Sequence, residues 1–381
     1  MAIKLSESEK QLYINYIKLI ASVINSEKPP KLPADFDWEP VCRNSQRNGV
    51  ANIIAYTFDK VNVKPPKTVY NVMENERRFE ILKETSQIFD IEKVIQKFEE
   101  NKIRNIPLKG YFMKHYYPQT DFRSMNDVDI FCERKMYKKI RACFEECGFT
   151  ENKMRSANEL AFTKDLIFVE VHFVIDRDQK GYYDKIWDMV KPRDDYNCSY
   201  EFSPEDFYVY MLYHASKHIK NGGIGIRMIL DFYVYNRAFP NLDYSYIKEQ
   251  LTELGLLKTH EKITSTAEDW FSGKLEDFDS FGEFVLYCST FGDSEFHEAL
   301  TPVGDSSASG VLRHIFRPYY QMKNIYFYLH KFPFLLPFSW VQFWFSRVFV
   351  SKDINRSYGT EKKISPEVRQ RADEIINELE L

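Results

Sequence analysis

Glycine is sparse in this 381-residue chain, at 14 residues, and no long uncharged apolar run is present. The most apolar stretch, Ile325 to Val350, is interrupted by Lys331 and Arg347, and Pro333 and Pro337 break its helical continuity. Only 15 residues between those two cations lack charge, short of the roughly 20 that a membrane span needs. Two readings of 325–350 stay open: a core or docking segment, and an interfacial membrane contact. The six cysteines are scattered, and Cys143 and Cys147 have no second Cys/His pair at zinc spacing. Buried free thiols are expected. The first helix-like stretch carries Glu7, Glu9 and Lys10 and no compact apolar run before a small-residue cleavage site. An intracellular, cytoplasmic protein is therefore expected.

No Gly-x-Ser-x-Gly and no protein-kinase motif set occurs. The GGIG run at 222–225 is too short and misplaced for a dinucleotide fingerprint and reads as a turn between helices. With 52 Lys+Arg against 56 Asp+Glu, the net charge of −4 shows no basic excess, so sequence-specific DNA binding is not expected. A hydrophobic content of 44% excludes a disordered tail protein. What the chain has in abundance is aromatics: 31 Phe, 25 Tyr and 5 Trp. Most fall outside the single alternating region, so they are expected to pack a large helical envelope.

Residues 1–95 read as helices. Leu12, Tyr16, Leu19, Ile20 and Val23 give one apolar stripe, a second helix is expected over Glu39–Phe58, and a long charged one over Thr68–Asn101. The period then changes. MNDVDIFC alternates, as in a half-buried strand, and LAFTKDLIFVEVHFVID reads as two strands joined at Lys164-Asp165. A helix over Lys135–Cys147, ended by Gly148, separates them. Beyond Asp176 helix is expected again, with Ser203-Pro204-Glu205 and Ser365-Pro366-Glu367 as caps and GDSSASG (304–310) as a flexible linker. The expected organisation is α+β: a small mixed sheet over 96–180, helical regions over 1–95 and 181–303, and an aromatic-rich helical region over 311–381.

Three carboxylates stand out. Asp127 and Asp129 share one strand face, with Val128 and Ile130 on the other, and Glu170 shares a face with His172 on a second strand. If the strands are neighbours, the three acids converge, and hard oxygen ligands so clustered suit Mg²⁺ or Mn²⁺. A two-metal site for phosphoryl or nucleotidyl transfer is one use of such a trio; a solvated strand face is the other reading. Lys109-Gly110, between a strand and a helix starting near Tyr111, is placed to meet a phosphate, as is Arg123, four residues before Asp127. Residues 101–147 hold ten Lys/Arg against six Asp/Glu, a local reversal of the overall charge. His172 is placed to touch either the metal shell or the substrate, or to be an ordinary hydrogen-bonded histidine. His214 and His218, one helical turn apart, fit a cleft lining, helix packing, or a zinc pair whose nearest third ligand is Asp231.

In order along the chain, LKG (108–110), Arg123, DVDIF (127–131), Gly148-Phe149 and VEVHF (169–173) resemble the uncharacterised nucleotidyltransferase family of the DNA polymerase β-like superfamily. DWEPVCRNSQRNGVANIIAYTF (37–58), HASKH (214–218), IGIRMILDF (224–232) and LLPFSW (335–340) extend the likeness over roughly 35–350. The resemblance implies transfer of a nucleoside monophosphate from an NTP to an acceptor hydroxyl, the acceptor being a small molecule, sugar, peptide or protein. It also implies Asp127, Asp129 and Glu170 as metal ligands, and Lys109, Gly110 and Arg123 against the triphosphate. Superfamily members usually carry Gly-Gly or Gly-Ser on the phosphate-binding turn, where this chain has Lys109-Gly110-Tyr111. That departure motivates an alternative: a catalytically inactive nucleotide- or partner-binding module on the same fold.

Overall fold

The computed structural model describes residues 4–152, 158–175, 181–290, 292–300, 328–349 and 365–381, with isolated positions between 316 and 326. Its centre is one five-stranded mixed sheet. β1 (Asn105–Pro107), β2 (Val128–Cys132), β3 (Thr150–Glu151), β4 (Glu159–Lys164) and β5 (Ile167–His172) lie in the order β1-β2-β5-β4-β3. β2 and β5 run parallel, and the other neighbours are antiparallel. The expected turn at Lys164-Asp165 is there: Lys164 pairs with Ile167, and Asp165 takes a positive φ of 50°.

The period-2 pattern sorts the side chains between two cores. Val128, Ile130 and Cys132 of β2 and Ile167, Val169 and Val171 of β5 face Ile91, Val94, Ile95 and Phe98 of α4 (Lys67–Glu100) and Ile140, Cys143 and Phe144 of α6 (Tyr137–Glu146). Each such fully buried side chain contributes about 1.5–3 kcal/mol by leaving water. The opposite sheet face carries Asp129, Phe131, Glu170 and His172, and Phe131 joins a second, larger core. That core is built on α1 (Glu7–Ile24), α2 (Trp38–Asn48), α3 (Ala51–Ala55), α7 (Pro204–Lys220) and α8 (Ile226–Ala238). Tyr208, Tyr213, Phe232 and Tyr235 are wholly buried there, so in this part of the envelope the aromatics do act as packing. α7 starts at the expected cap, where Ser203 Oγ accepts from the Asp206 N–H at 3.0 Å.

Several expectations change. β2 is buried on both faces rather than half-solvated, because α7 and α8 cover the side carrying the acids. The single helix expected over Glu39–Phe58 is two, since Gly49 at φ 63° turns the chain into the left-handed region that closes α2. From Gly181, where the described residues resume, the chain does not enter an α-helix directly: a 3₁₀ stretch, Tyr182–Asp188, leads into the hairpin β6 (Val190–Pro192) and β7 (Tyr200–Phe202). Ser199, beside β7, then bridges to Asn105 of the main sheet. The aromatic stretch near the C-terminus is only partly core. Met322, Leu329 and Phe343 form a small cluster of their own, while Phe334, Phe338, Val341 and Phe345 are at least 60% exposed. Among the described residues no helix is long and apolar enough to cross a membrane. The helix Pro366–Glu378 starts at the expected Ser365 cap, and the GDSSASG segment lies outside the described residues.

A buried polar layer ties the segment before β2 to the helices behind it. Gln87 Nε2 of α4 donates to the Met125 carbonyl (2.9 Å), Lys83 Nζ to Asn126 Oδ1 (3.3 Å), and the Tyr56 hydroxyl to Asp121 Oδ2 (3.0 Å). In the same layer Lys114 is 1% exposed, its amine makes no hydrogen bond, and Glu84 Oε1 is 3.7 Å away. Burial pushes its pKa down to about 8, against the attraction of Glu84 and Glu80 and with the repulsion of Arg123. The folded state then binds fewer protons than the unfolded chain, whose lysine titrates near ~10.4. Stability therefore rises with pH between those values. Urea unfolding at pH 7 and pH 10 should show the wild type gaining about 2–3 kcal/mol relative to Lys114→Met over that interval. A difference that does not change with pH would show that Lys114 is charged and solvated.

Candidate active site

The cleft lies between the acidic sheet face and α7 and α8. It encloses about 310 Å³, and Lys109, Gly110, Arg123, Asp127, Asp129, Glu170, His214, His218, Arg227 and Asp231 all border it. Parallel pairing sets Asp129 directly beside Glu170, so both carboxylates leave neighbouring strands on one face. Oxygens of Asp129 and Glu170 and a ring nitrogen of His172 lie within 4.8 Å of one another. Asp127 precedes β2 rather than forming part of it, and borders the same cleft.

Asp129 is the anchored member. Lys109 Nζ lies 2.8 Å from its Oδ2, and His172 Nε2 lies 2.6 Å from its Oδ1. Burial opposes the charge, but Lys109 and His172 outweigh it and hold the carboxyl well below the usual range. Asp129 is thus ionised and can only accept, so His172 Nε2 carries a proton and donates. His172 is thereby an orienting partner of Asp129, with Glu170 Oε2 further off at 3.7 Å. Asp127 and Glu170 shift the other way. Burial raises both pKa values, and the neighbouring negative charge of Asp129 raises them further. Three acids with one lysine among them leave anionic charge uncompensated, and hard oxygen donors at this spacing fit a divalent cation such as Mg²⁺.

The turn entering α5 (Gly110–Met113) explains the Lys109-Gly110 pair. Lys109 has φ 44° and ψ −112°, a conformation glycine adopts readily and L side chains rarely. A tight turn therefore forms although a lysine stands in it, at a cost of order 1–3 kcal/mol. Gly110 is required by close approach: a Cβ there would lie 2.6 Å from Arg123 Nη1 and 2.7 Å from Met125 Sδ. α5 is a single turn, and the N–H groups of Tyr111, Phe112 and Met113 donate back to Leu108 and Lys109. The N–H groups of these three residues are thus engaged within the turn.

Arg123 borders the cleft, but its fork is engaged. Nε and Nη2 donate to Asp231 Oδ1 and Oδ2 at 2.9 and 2.8 Å, and the Tyr117 hydroxyl also donates to Oδ1 at 2.7 Å. Asp231 is therefore the counter-ion of Arg123 rather than a third ligand for the histidines. His214 and His218 do line the cleft, with their Nε2 atoms 3.0 Å apart. Burial, then the charge of Lys109, holds His214 well below the imidazolium range and His218 down to about 4. Among the described residues no third metal-ligating side chain joins them. The pairing of Asp231 with Arg123 and the place of Arg227 in the cleft were not legible in the sequence: IGIRMILDF marks the helix that carries both, but the residues they meet lie some hundred positions earlier.

Acidic residues on adjacent strands of a small mixed sheet thus face a helical wall across a cleft. The family described as uncharacterised nucleotidyltransferase matches residues 34–272, well over half of the chain, and the protein belongs to that family. Among solved structures it is similar to the antibiotic-resistance factor ANT(2'')-Ia, determined in solution. The identity is 12%, the match covers 47% of this chain and 98% of that one, and the TM-score is 0.34. No curated protein matches the chain.

Proposed function

We propose that the protein is a Mg²⁺- or Mn²⁺-dependent enzyme that moves a nucleoside monophosphate from an NTP to an acceptor hydroxyl and releases pyrophosphate. The observation carrying this reading is the register of β2 and β5, which sets Asp129 beside Glu170 on the face that floors the cleft. Asp127, Asp129 and Glu170 would hold the metal, which when bound polarises the phosphoryl oxygens and offsets charge in the in-line displacement. Glu170, beside Asp129 on the floor of the cleft, would accept the acceptor hydroxyl's proton as the new O–P bond forms and the Pα–O bond to pyrophosphate breaks. Lys109 would pass from Asp129 to the phosphates, and His172 would keep Asp129 oriented. A 310 Å³ cleft is at the small end for ligand sites, so it suits the reacting phosphates while base and acceptor extend outward. We place the reaction in the cytoplasm, where free thiols persist: all six cysteines are unpaired, and four are buried.

Incubation of the full chain with each α-labelled NTP, Mg²⁺ and fractionated extract tests the reading. Label should move to one fraction, with pyrophosphate released. Nucleotide bound without transfer under every condition would instead identify a binding module on the same fold.

A further inference from the structure

Among the described residues three cationic side chains, Lys109, Arg123 and Arg227, border the cleft, and two of them are already neutralised. Lys109 sits on Asp129, and Arg123 is forked onto Asp231. Arg227, in the first turn of α8, differs. Its one hydrogen bond runs from Nη1 to the Ser124 carbonyl at 2.8 Å, and among the described residues no carboxylate lies within ion-pair distance. The guanidinium is nevertheless held in place. It lies over Gly49, where a Cβ would come within 3.0 Å of Nη1, so helix α2 ends in a residue that leaves room for it. Burial, and then the like charge of Arg123, push its pKa down to about 10, against the attraction of Asp231 and Asp127. Arg227 lines the same cleft as Lys109, Gly110 and Asp127.

We infer that Arg227, not Arg123, is the phosphate-binding arginine of this cleft, closing on the nucleotide's triphosphate with its free guanidinium edge opposite the Lys109–Gly110 turn. This rests on the nucleotidyl-transfer reading. A planar fork matches phosphate oxygens bidentately, and a cation without a counter-ion gives up no existing pair on binding one. Arg123 then acts as a positioning residue: through Asp231 it joins α8 to the loop before β2, and through its contact with Gly110 it backs the turn.

The test is equilibrium binding to the full chain in Mg²⁺, using the four NTPs, the corresponding NMPs and inorganic tripolyphosphate. Arg227→Gln should weaken NTP and tripolyphosphate binding about 10- to 100-fold, as expected for one lost charge-assisted contact, and leave NMP binding nearly unchanged. Arg227→Lys should recover part of the loss, which a purely structural role would not produce, and it serves as the variant if the glutamine form does not fold. If Arg227→Gln folds and binds NTP and tripolyphosphate as the wild type does, the assignment to Arg227 is overturned while the nucleotidyl-transfer reading stands. If the wild type binds none of the NTPs, that reading fails first, and the inference with it.

Discussion

Asp129→Asn is expected to lower nucleotidyl transfer by at least about 10³-fold, the loss that follows from removing several kcal/mol of metal-centred transition-state stabilisation. The substitution keeps the side chain's volume in a position only 4% exposed, so packing changes little. What it removes is charge. Lys109 and His172 both donate to Asp129 oxygens, and an amide offers them one acceptor where the carboxylate offers two. Lys109 loses its counter-ion, Glu170 loses the neighbour that raises its pKa, and the proposed divalent cation would lose one of its ligands. Two readouts separate the effects. Transfer of label from the NTP reports chemistry, and Mn²⁺ binding followed by electron paramagnetic resonance reports the metal. Both should fall together. Transfer within tenfold of the wild type would remove the carboxylates from the catalytic role.

The parts of this site that could be read from residues alone are those on strands. A period of two puts Asp129 on one face and Val128 and Ile130 on the other, and the same rule puts Glu170 beside His172, whatever the rest of the fold does. The parallel pairing that brings the strands together is not local: the family likeness implied only that the acids meet, and the register is seen in the structure. The helical wall was less legible. Asp231 and Arg227 sit on one helix four residues apart, a spacing that also fits an ordinary solvated pair. Only the packing of α8 against the loop before β2 shows that Asp231 neutralises Arg123 while Arg227 turns to the Ser124 carbonyl. Residues 182–202 were missed because three-residue strands such as Val190–Pro192 are too short to show a period. The aromatic segment failed for another reason. Hydropathy identifies which side chains avoid water, and it does not say whether a partner covers Phe334 or Phe338.

The second large effect is on stability. Asp231→Ala should cost about 3–5 kcal/mol, because it strands Arg123 without a partner in a site where the two side chains are only 11% and 7% exposed. The loss is larger than for a surface ion pair, whose net worth is about 0–1 kcal/mol. The Tyr117 hydroxyl, buried beside them, loses its acceptor as well. Replacing both partners, as Arg123→Met with Asp231→Leu, should recover most of that stability, since the main penalty is an uncompensated buried charge rather than the loss of an attractive pair. Denaturant unfolding of the single and double variants measures the difference. The double variant should still bind NTP more weakly than the wild type. Gly110 has no side chain because Arg123 Nη1 occupies that space, so the flat guanidinium is part of the wall that shapes the Lys109 turn. A flexible methionine fills the volume without fixing the turn. A recovered fold with impaired nucleotide binding would separate what this ion pair does for stability from what it does for the site. Recovery of both would make Arg123 a packing residue only.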